Sequence, residues 1–362
     1  MKLEKNYSER LQVLRFPLIV GIVFLHAYWT DVEFSYGIIG MVRSGPFSGF
    51  VRDFVSLGLA RMAVPLFFSM SGYLFFYGFN WSLEKYKIKI KSRVKTLLIP
   101  FILWNLFTLV FLAVAQSFPA TQIFFSGKNV PISSFTLYDY FNAMIGIDKP
   151  PISYQFWFIR DLMVVVLLVP VLHIVYKMIP TVFIVIITIL WFFQFWPIYI
   201  PSIEAFFFFN FGTYLAVTET NIFKVDKSGK WVLLIYIFIL VVETLTRGSA
   251  FYEYLHRAGI ILGITAALYA TKFVHRNHKL KKIMLWFSGC SFFVFAMHEP
   301  LLIISKKIAY KILEPNTDIM VLTLYFAIPL FVISVSILVY LLLRSLMPKF
   351  LGILTGGRLS VL

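Results

Sequence analysis

Residues 10–29 read RLQVLRFPLIVGIVFLHAYW, an apolar run with Arg15 near its start and His26 near its end. A helix needs roughly 20 such residues to cross the hydrocarbon core of a bilayer. An ionisable side chain inside that core is costly enough to mark a pathway or a reaction site. Eleven positions separate Arg15 from His26. At about 100° per residue that is about three turns plus about 20°, so the two side chains share a face, about 16 Å apart along the axis. One wall of a single cavity then carries a cation at one level and an imidazole at another.

The rest of the chain continues in the same manner. Of 362 residues, 60% are hydrophobic and 19% aromatic, and mean hydropathy is +0.83. Charged residues make up 14%, well below the usual share in a soluble domain. The fold class is therefore all-α, a polytopic integral membrane protein. About ten transmembrane helices are expected, near 11–30, 54–79, 97–116, 154–176, 181–198, 202–218, 231–247, 258–273, 284–305 and 320–344, arranged around a polar chamber. The outer loop at about 117–153 is too small for a domain of its own, so 1–362 is read as a single membrane domain.

A formal net charge of +16 would suit nucleic acid, but the distribution of the cations points elsewhere. With a cytoplasmic N-terminus, 21 Lys and Arg fall on the cytoplasmic side and 9 outside, which is the positive-inside pattern with both termini in the cytoplasm. The single cysteine, Cys290, excludes an intramolecular disulfide and a cysteine metal cluster. No A-x-A cleavage site follows the first apolar run, which reads as a retained signal anchor.

Helix rise places several ionisable residues at one depth in the outer half of the membrane: His26, Arg61, the Arg160–Asp161 pair, Glu243 and the His298–Glu299 pair. Arg15 alone lies toward the cytoplasm. Bland readings stand beside each. His26 suits a satisfied core histidine, Arg15 a snorkelling cation, and Arg160 with Asp161 an ion pair to another helix. Glu204, Glu243 and His173 read as interfacial. His298 precedes Glu299 and Pro300, where a helix break is expected to form a polar pocket. The run KYKIKIKSRVK, residues 85–95, places Lys85, Lys87 and Lys89 among alternating cations. It serves as a topology determinant touching anionic lipid or as a cytoplasmic lip for a phosphate-bearing ligand. Ser69, Ser71 and Gly72 favour close helix packing over nucleophilic chemistry, and no serine elbow, P-loop or HExxH metal motif occurs.

Four segments together resemble the membrane acyltransferase-3 family of bacteria: LRFPLIVGIVFLHAY (14–28), ARMAVPLFFSMSGYLFF (60–76), FWFIRDLMVVVLLVP (156–170) and SGCSFFVFAMHEPLL (288–302). Two features depart from the pattern: Glu299 stands between His298 and Pro300, and no extracytoplasmic domain is attached. The resemblance implies transfer of an acyl group, commonly acetyl, from cytoplasmic acyl-CoA as co-substrate to a sugar hydroxyl. The acceptor would be a surface glycan or lipid-linked sugar reached through the bacterial inner membrane, and no metal is expected. His26 would then be the base or acyl carrier, with Arg61 on the oxyanion and His298 and Arg160 as further catalytic candidates. Arg15, Lys85, Lys87 and Lys89 would hold the donor phosphates. Partners are acyl-CoA, the glycan acceptor and membrane lipid, with no nucleic acid. The rival expectation is a transporter or polysaccharide exporter, in which the same polar residues line a path.

Overall fold

The computed structural model describes residues 5–41, 45–78, 80–127 and 130–358. Lys2, Arg43 and Lys128, counted in the charge asymmetry, lie outside them. Helix α1 (Lys5–His26) ends at His26, several residues short of the expected span, because the chain turns into a two-stranded hairpin, β1 (Asp31–Phe34) and β2 (Gly37–Gly40). That hairpin is a small departure from an all-helical chain. Helices α2 (Pro46–Arg52) and α3 (Ala63–Phe76) are joined by a π-helical stretch, Asp53–Gly58, and a 3₁₀ stretch, Leu59–Met62, that carries Arg61. Helix α4 (Leu83–Arg93) runs through a π stretch at Val94–Leu98 into α5 (Ile99–Ser117). The outer loop folds into 3₁₀ turns and α6 (Leu137–Ile145), started by a Thr136–Asp139 capping box.

The second half is a succession of helices: α7 (Trp157–Leu167), α8 (Val169–Met178), α9 (Pro180–Phe193), α10 (Ile203–Val217), α11 (Gly229–Leu245), α12 (Tyr252–Arg276), α13 (His278–Leu313), α14 (Asp318–Leu346) and α15 (Pro348–Leu354). Helices occupy all ten expected positions, yet fewer are long and apolar enough to cross a bilayer. Five stretches qualify: Pro46–Phe76, Leu83–Ser117, α12, α13 and α14. A sixth results if α7 and α8, bent by 59°, count as one. The shortfall has local causes. The first half of α1 carries Glu9, Arg10 and Arg15, and α9, α10 and α11 have 14, 15 and 17 residues. The α7–α8 bend coincides with Pro170, which has no N–H for the helix ladder. The Tyr86 hydroxyl bonds the adjacent Leu167 carbonyl at 3.2 Å.

Apolar side chains face outward along whole helices, among them Leu106, Phe107, Val110 and Val114 of α5, and Leu330, Phe331, Leu338 and Leu342 of α14. Faces of that size are stable against hydrocarbon and unfavourable against water. Inside, α3 and α10 pack with backbones in contact, as the small residues predict. A Cβ on Gly72 would lie 1.9 Å from the Phe209 carbonyl oxygen, and one on Gly212 the same distance from that of Ser69.

Polar contacts gather at the two ends of the bundle. At one end Arg10 meets Asp226 at 2.7 Å and Glu9 meets Lys281 at 3.0 Å, which joins α1 to the 3₁₀ turn near 226 and to the first turn of α13. At the other, Arg52 donates to the Tyr28 carbonyl at 2.7 Å, Lys307 to that of Glu33 at 2.6 Å, and the Asp318 carboxylate accepts from the Gly45 N–H at 2.7 Å. Arg15 belongs to the first end and His26 to the second.

Candidate active site

His26 is the last residue of α1, and its ring lines a cavity of about 250 Å³ together with Arg61, Tyr154, Trp157, Glu204 and His256. Tyr154 donates its hydroxyl proton to a Glu299 carboxylate oxygen. Its own oxygen is then an acceptor for His26 Nδ1–H, 2.7 Å away. Glu299 itself stands 3.4 Å from the same nitrogen. This relay fixes the His26 tautomer and leaves Nε2 as the proton-accepting atom.

His298 stands behind His26, with ring centroids 5.2 Å apart. Its Nδ1 is 2.6 Å from the Phe295 carbonyl oxygen, so that nitrogen carries the proton and Nε2 keeps the lone pair. His298 Nε2 and Glu299 Oε2 are buried without a hydrogen-bond partner among the described residues. Orphaned polar atoms at such depth are uncommon and ask for an explanation in function. One ligand atom each from His26, His298 and Glu299 lie within 4.8 Å of one another. Two imidazoles and a carboxylate are also a set that zinc accepts.

The expected helix break at Pro300 does not occur, since α13 runs unbroken from His278 to Leu313. Proline 300 still leaves the Ala296 carbonyl, four residues earlier, without its helical donor. The Gln155 amide supplies one at 3.2 Å. The same strand of contacts therefore brings residues 154 and 155 against α13 and sets Tyr154 beside Glu299.

Arg61 lines the His26 cavity from its 3₁₀ stretch and has no hydrogen-bond or ion-pair partner among the described residues. Interruptions of helical register of this kind often accompany functional positions. Arg160 is placed elsewhere. It is 5% exposed, bonds Asp161 at 2.9 Å and the Gly146 carbonyl, and lies over the Tyr199 ring. Asp161 in turn accepts from the Ser202 N–H at 2.8 Å. Through these contacts Arg160 and Asp161 clamp α7 to the outer loop and to the start of α10, but the ion pair is between the two neighbours themselves and not to another helix, as the bland reading had it.

Two residues that the sequence reading passed over belong to this site. Tyr154 was not singled out among 19 tyrosines. His256 was not considered, and Glu243, read as interfacial, is 3% exposed and holds His256 Nδ1 at 2.5 Å. Pairing the lone carboxylate of α11 with the lone imidazole at the facing end of α12 was the available signal.

Toward the other end of α1, Arg15 lines a second cavity of about 200 Å³. Lys85 and Lys87 point outward from α4, and Lys89 reaches back to the Phe75 carbonyl, so none of the three lines this cavity. Arg93, from the same basic run, does. Phe158 and Phe295 form walls of both cavities, with their rings edge-on at 6.1 Å. Two aromatic side chains thus separate the Arg15 level from the His26 level.

Comparison with known proteins bears on the class of activity. The acyltransferase domain family denoted Acyl_transf_3 matches residues 8–343. The succinoglycan biosynthesis protein ExoH of Rhizobium meliloti (strain 1021) is 26% identical over 372 aligned positions, covering 98% of this chain and 94% of that protein. No solved structure matches. The match spans α1 to α14 and includes both cavities' α1 residues, and the chain belongs to the acyltransferase-3 family as a membrane acyltransferase.

Proposed function

We propose that this acyltransferase moves an acyl group, acetyl in the simplest case, from cytoplasmic acyl-CoA to a sugar hydroxyl of a surface polysaccharide or lipid-linked glycan in the bacterial inner membrane. The observation that carries the reading is the Glu299–Tyr154–His26 relay beside the unpartnered Arg61, in a cavity whose α1 residue, His26, stands about three helical turns from Arg15 of another cavity lined by cations. Similarity to a protein of succinoglycan biosynthesis supports a polysaccharide acceptor. The cation-rich segments expected in the cytoplasm meet at the Arg15 end, which supports donor entry there.

In this reading the acceptor hydroxyl gives its proton to His26 Nε2 while its oxygen attacks the thioester carbonyl. The imidazolium is stabilised through Nδ1 by Tyr154 and Glu299. Arg61 faces the negative charge that develops on the carbonyl oxygen. Collapse of the tetrahedral intermediate expels the CoA thiolate, which recovers the proton from His26. No metal is invoked, and His298 supports the ring of His26 from behind.

The test is transfer by purified protein in nanodiscs supplied with labelled acetyl-CoA and isolated surface glycan, alongside the glycan mass in wild-type and deletion strains. Label in glycan and a mass loss equal to an acyl group in the deletion strain are expected, with turnover unchanged by EDTA. An unchanged glycan mass in the deletion strain would sink the acceptor assignment, and loss of turnover with EDTA the metal-free chemistry.

A further inference from the structure

The chain continues past α14 into a short hook, and residues 344–358 lie beyond the segment that matches the family. Helix α15 returns toward α5, where the Trp104 indole N–H donates to the Leu354 carbonyl at 3.1 Å. Gly356 then adopts φ +60°, and a Cβ there would stand 2.5 Å from the Thr96 carbonyl oxygen. Only glycine tolerates both the conformation and the approach. The turn delivers Arg358, whose Nη1 donates to that Thr96 carbonyl at 2.9 Å and whose guanidinium lies 4.6 Å from the centre of the Phe292 ring.

Arg358 thereby enters the Arg15 cavity, where Arg93 arrives from the last turn of α4, just before the π stretch. Ser71, Ser288 and Ser291 complete the polar part of the wall. Among the described residues Arg15 and Arg93 have no hydrogen-bond or ion-pair partner, and Arg358 bonds only backbone carbonyls. Burial, together with the charges of Arg15 and Arg93, pushes the Arg358 guanidinium down to about 10. Three like charges around one cavity repel one another at a cost that an anion would remove.

Arg10 shows what a structural arginine on the same helix looks like. It meets Asp226 at 2.7 and 2.8 Å, Thr271 at 2.8 Å and the Leu268 carbonyl at 3.1 Å. Arg15, less than two turns away, has nothing of the kind.

We propose that Arg15, Arg93 and Arg358 form a phosphate-binding site, with the C-terminal hook supplying the third arginine and the donor nucleotide supplying the phosphate. The inference rests on the acyl-CoA reading above and extends it to residues outside the family segment. Guanidinium groups suit this ligand because their planar donors match phosphoryl oxygens in pairs. An anionic lipid headgroup offers the same chemistry, and the test separates the two.

The experiment measures binding of labelled CoA to the full-length protein in neutral phosphatidylcholine nanodiscs, for wild type, Arg358→Gln and Arg358→Lys, with a thermal melt of each. Co-purifying anionic lipid is quantified by mass spectrometry. Loss of one charge-assisted contact is expected to weaken CoA binding roughly 10–150-fold in Arg358→Gln, with partial recovery in Arg358→Lys and unchanged melting. Equal CoA affinity in wild type and Arg358→Gln overturns the inference while leaving the donor reading intact. So does an unchanged CoA affinity accompanied by loss of co-purifying anionic lipid. An equal fall in both variants, tracking a lowered melting temperature, reduces the hook to a structural brace and overturns it too. If wild type itself binds no CoA, the donor reading fails and the inference falls with it.

Discussion

At the His26 end of α1, each proton has a place: Nδ1 faces Tyr154, Tyr154 faces Glu299, and His298 turns its own Nδ1 to the Phe295 carbonyl. At the Arg15 end, about 16 Å away along the helix, three guanidiniums share a cavity with no carboxylate partner among the described residues. The contrast separates two tasks. A relay with fixed tautomers is preorganised to move a proton whether or not ligand is present. A cluster of uncompensated cations is incomplete until an anion arrives, so it contributes binding energy and selects what carries that anion. Mutations at the two ends should therefore divide between turnover and donor affinity.

The sharpest way to break that division is His26→Ala. Loss of the base is expected to lower turnover roughly 100–10,000-fold while CoA affinity in nanodiscs stays near wild type. A variant with near-normal turnover would remove His26 from the chemistry. Weakened CoA binding in the same variant would join the two cavities into one functional unit and dissolve the comparison.

Arg61→Lys comes next. It keeps the charge at the His26 cavity but loses the planar pair of donors. Loss of one oxyanion donor typically lowers the rate about 100–1,000-fold. Steady-state kinetics should show the fall in turnover with little change in the Michaelis constant for donor. If the lysine variant turns over normally, Arg61 acts as a diffuse charge and not as an oxyanion donor.

Arg15→Ala probes the other end. Its expected effect is a rise of roughly 10–150-fold in the Michaelis constant for acetyl-CoA, with saturating donor restoring most of the turnover. A large drop in turnover at an unchanged donor constant would place Arg15 in the transition state or in the support of the helix.

What the sequence displayed and what it concealed follow the same physical line. Helical period alone put Arg15 and His26 on one face, because both lie on a single regular element and no tertiary information is needed. Gly72 was legible for the same reason, as a small residue within one helix. The partners were not. Tyr154 bonds a residue 145 positions away, Arg93 looked like one cation in a topology run, and Arg358 sits in a tail with no periodicity. Glu299 appeared only as a departure from a motif, yet its carboxylate anchors the relay. Ten spans were expected from apolar runs. Length limits the count at α9 and α10, which keep the composition of a span at 14 and 15 residues, and charge limits it at the 22-residue α1.

Arg160 tests this lesson with the smallest expected effect on turnover. From sequence, its depth in the membrane made it a catalytic candidate beside Arg61. In the fold the two differ in their partners: Arg61 has none among the described residues, whereas Arg160 is engaged by Asp161, Gly146 and Tyr199. Removing Arg160 alone strands a buried Asp161, and breaking such a pair costs about 3–5 kcal/mol. Arg160→Met is therefore expected to lower the melting temperature and the folded yield. The double variant Arg160→Met with Asp161→Asn leaves no stranded charge and should recover part of that loss. Turnover per folded molecule is expected to stay within a few-fold of wild type in both, with an unchanged donor constant. A well-folded double variant as inactive as His26→Ala would return Arg160 to the chemistry. It would also show that an arginine with all three nitrogens in contact with acceptors can still serve the reacting atoms.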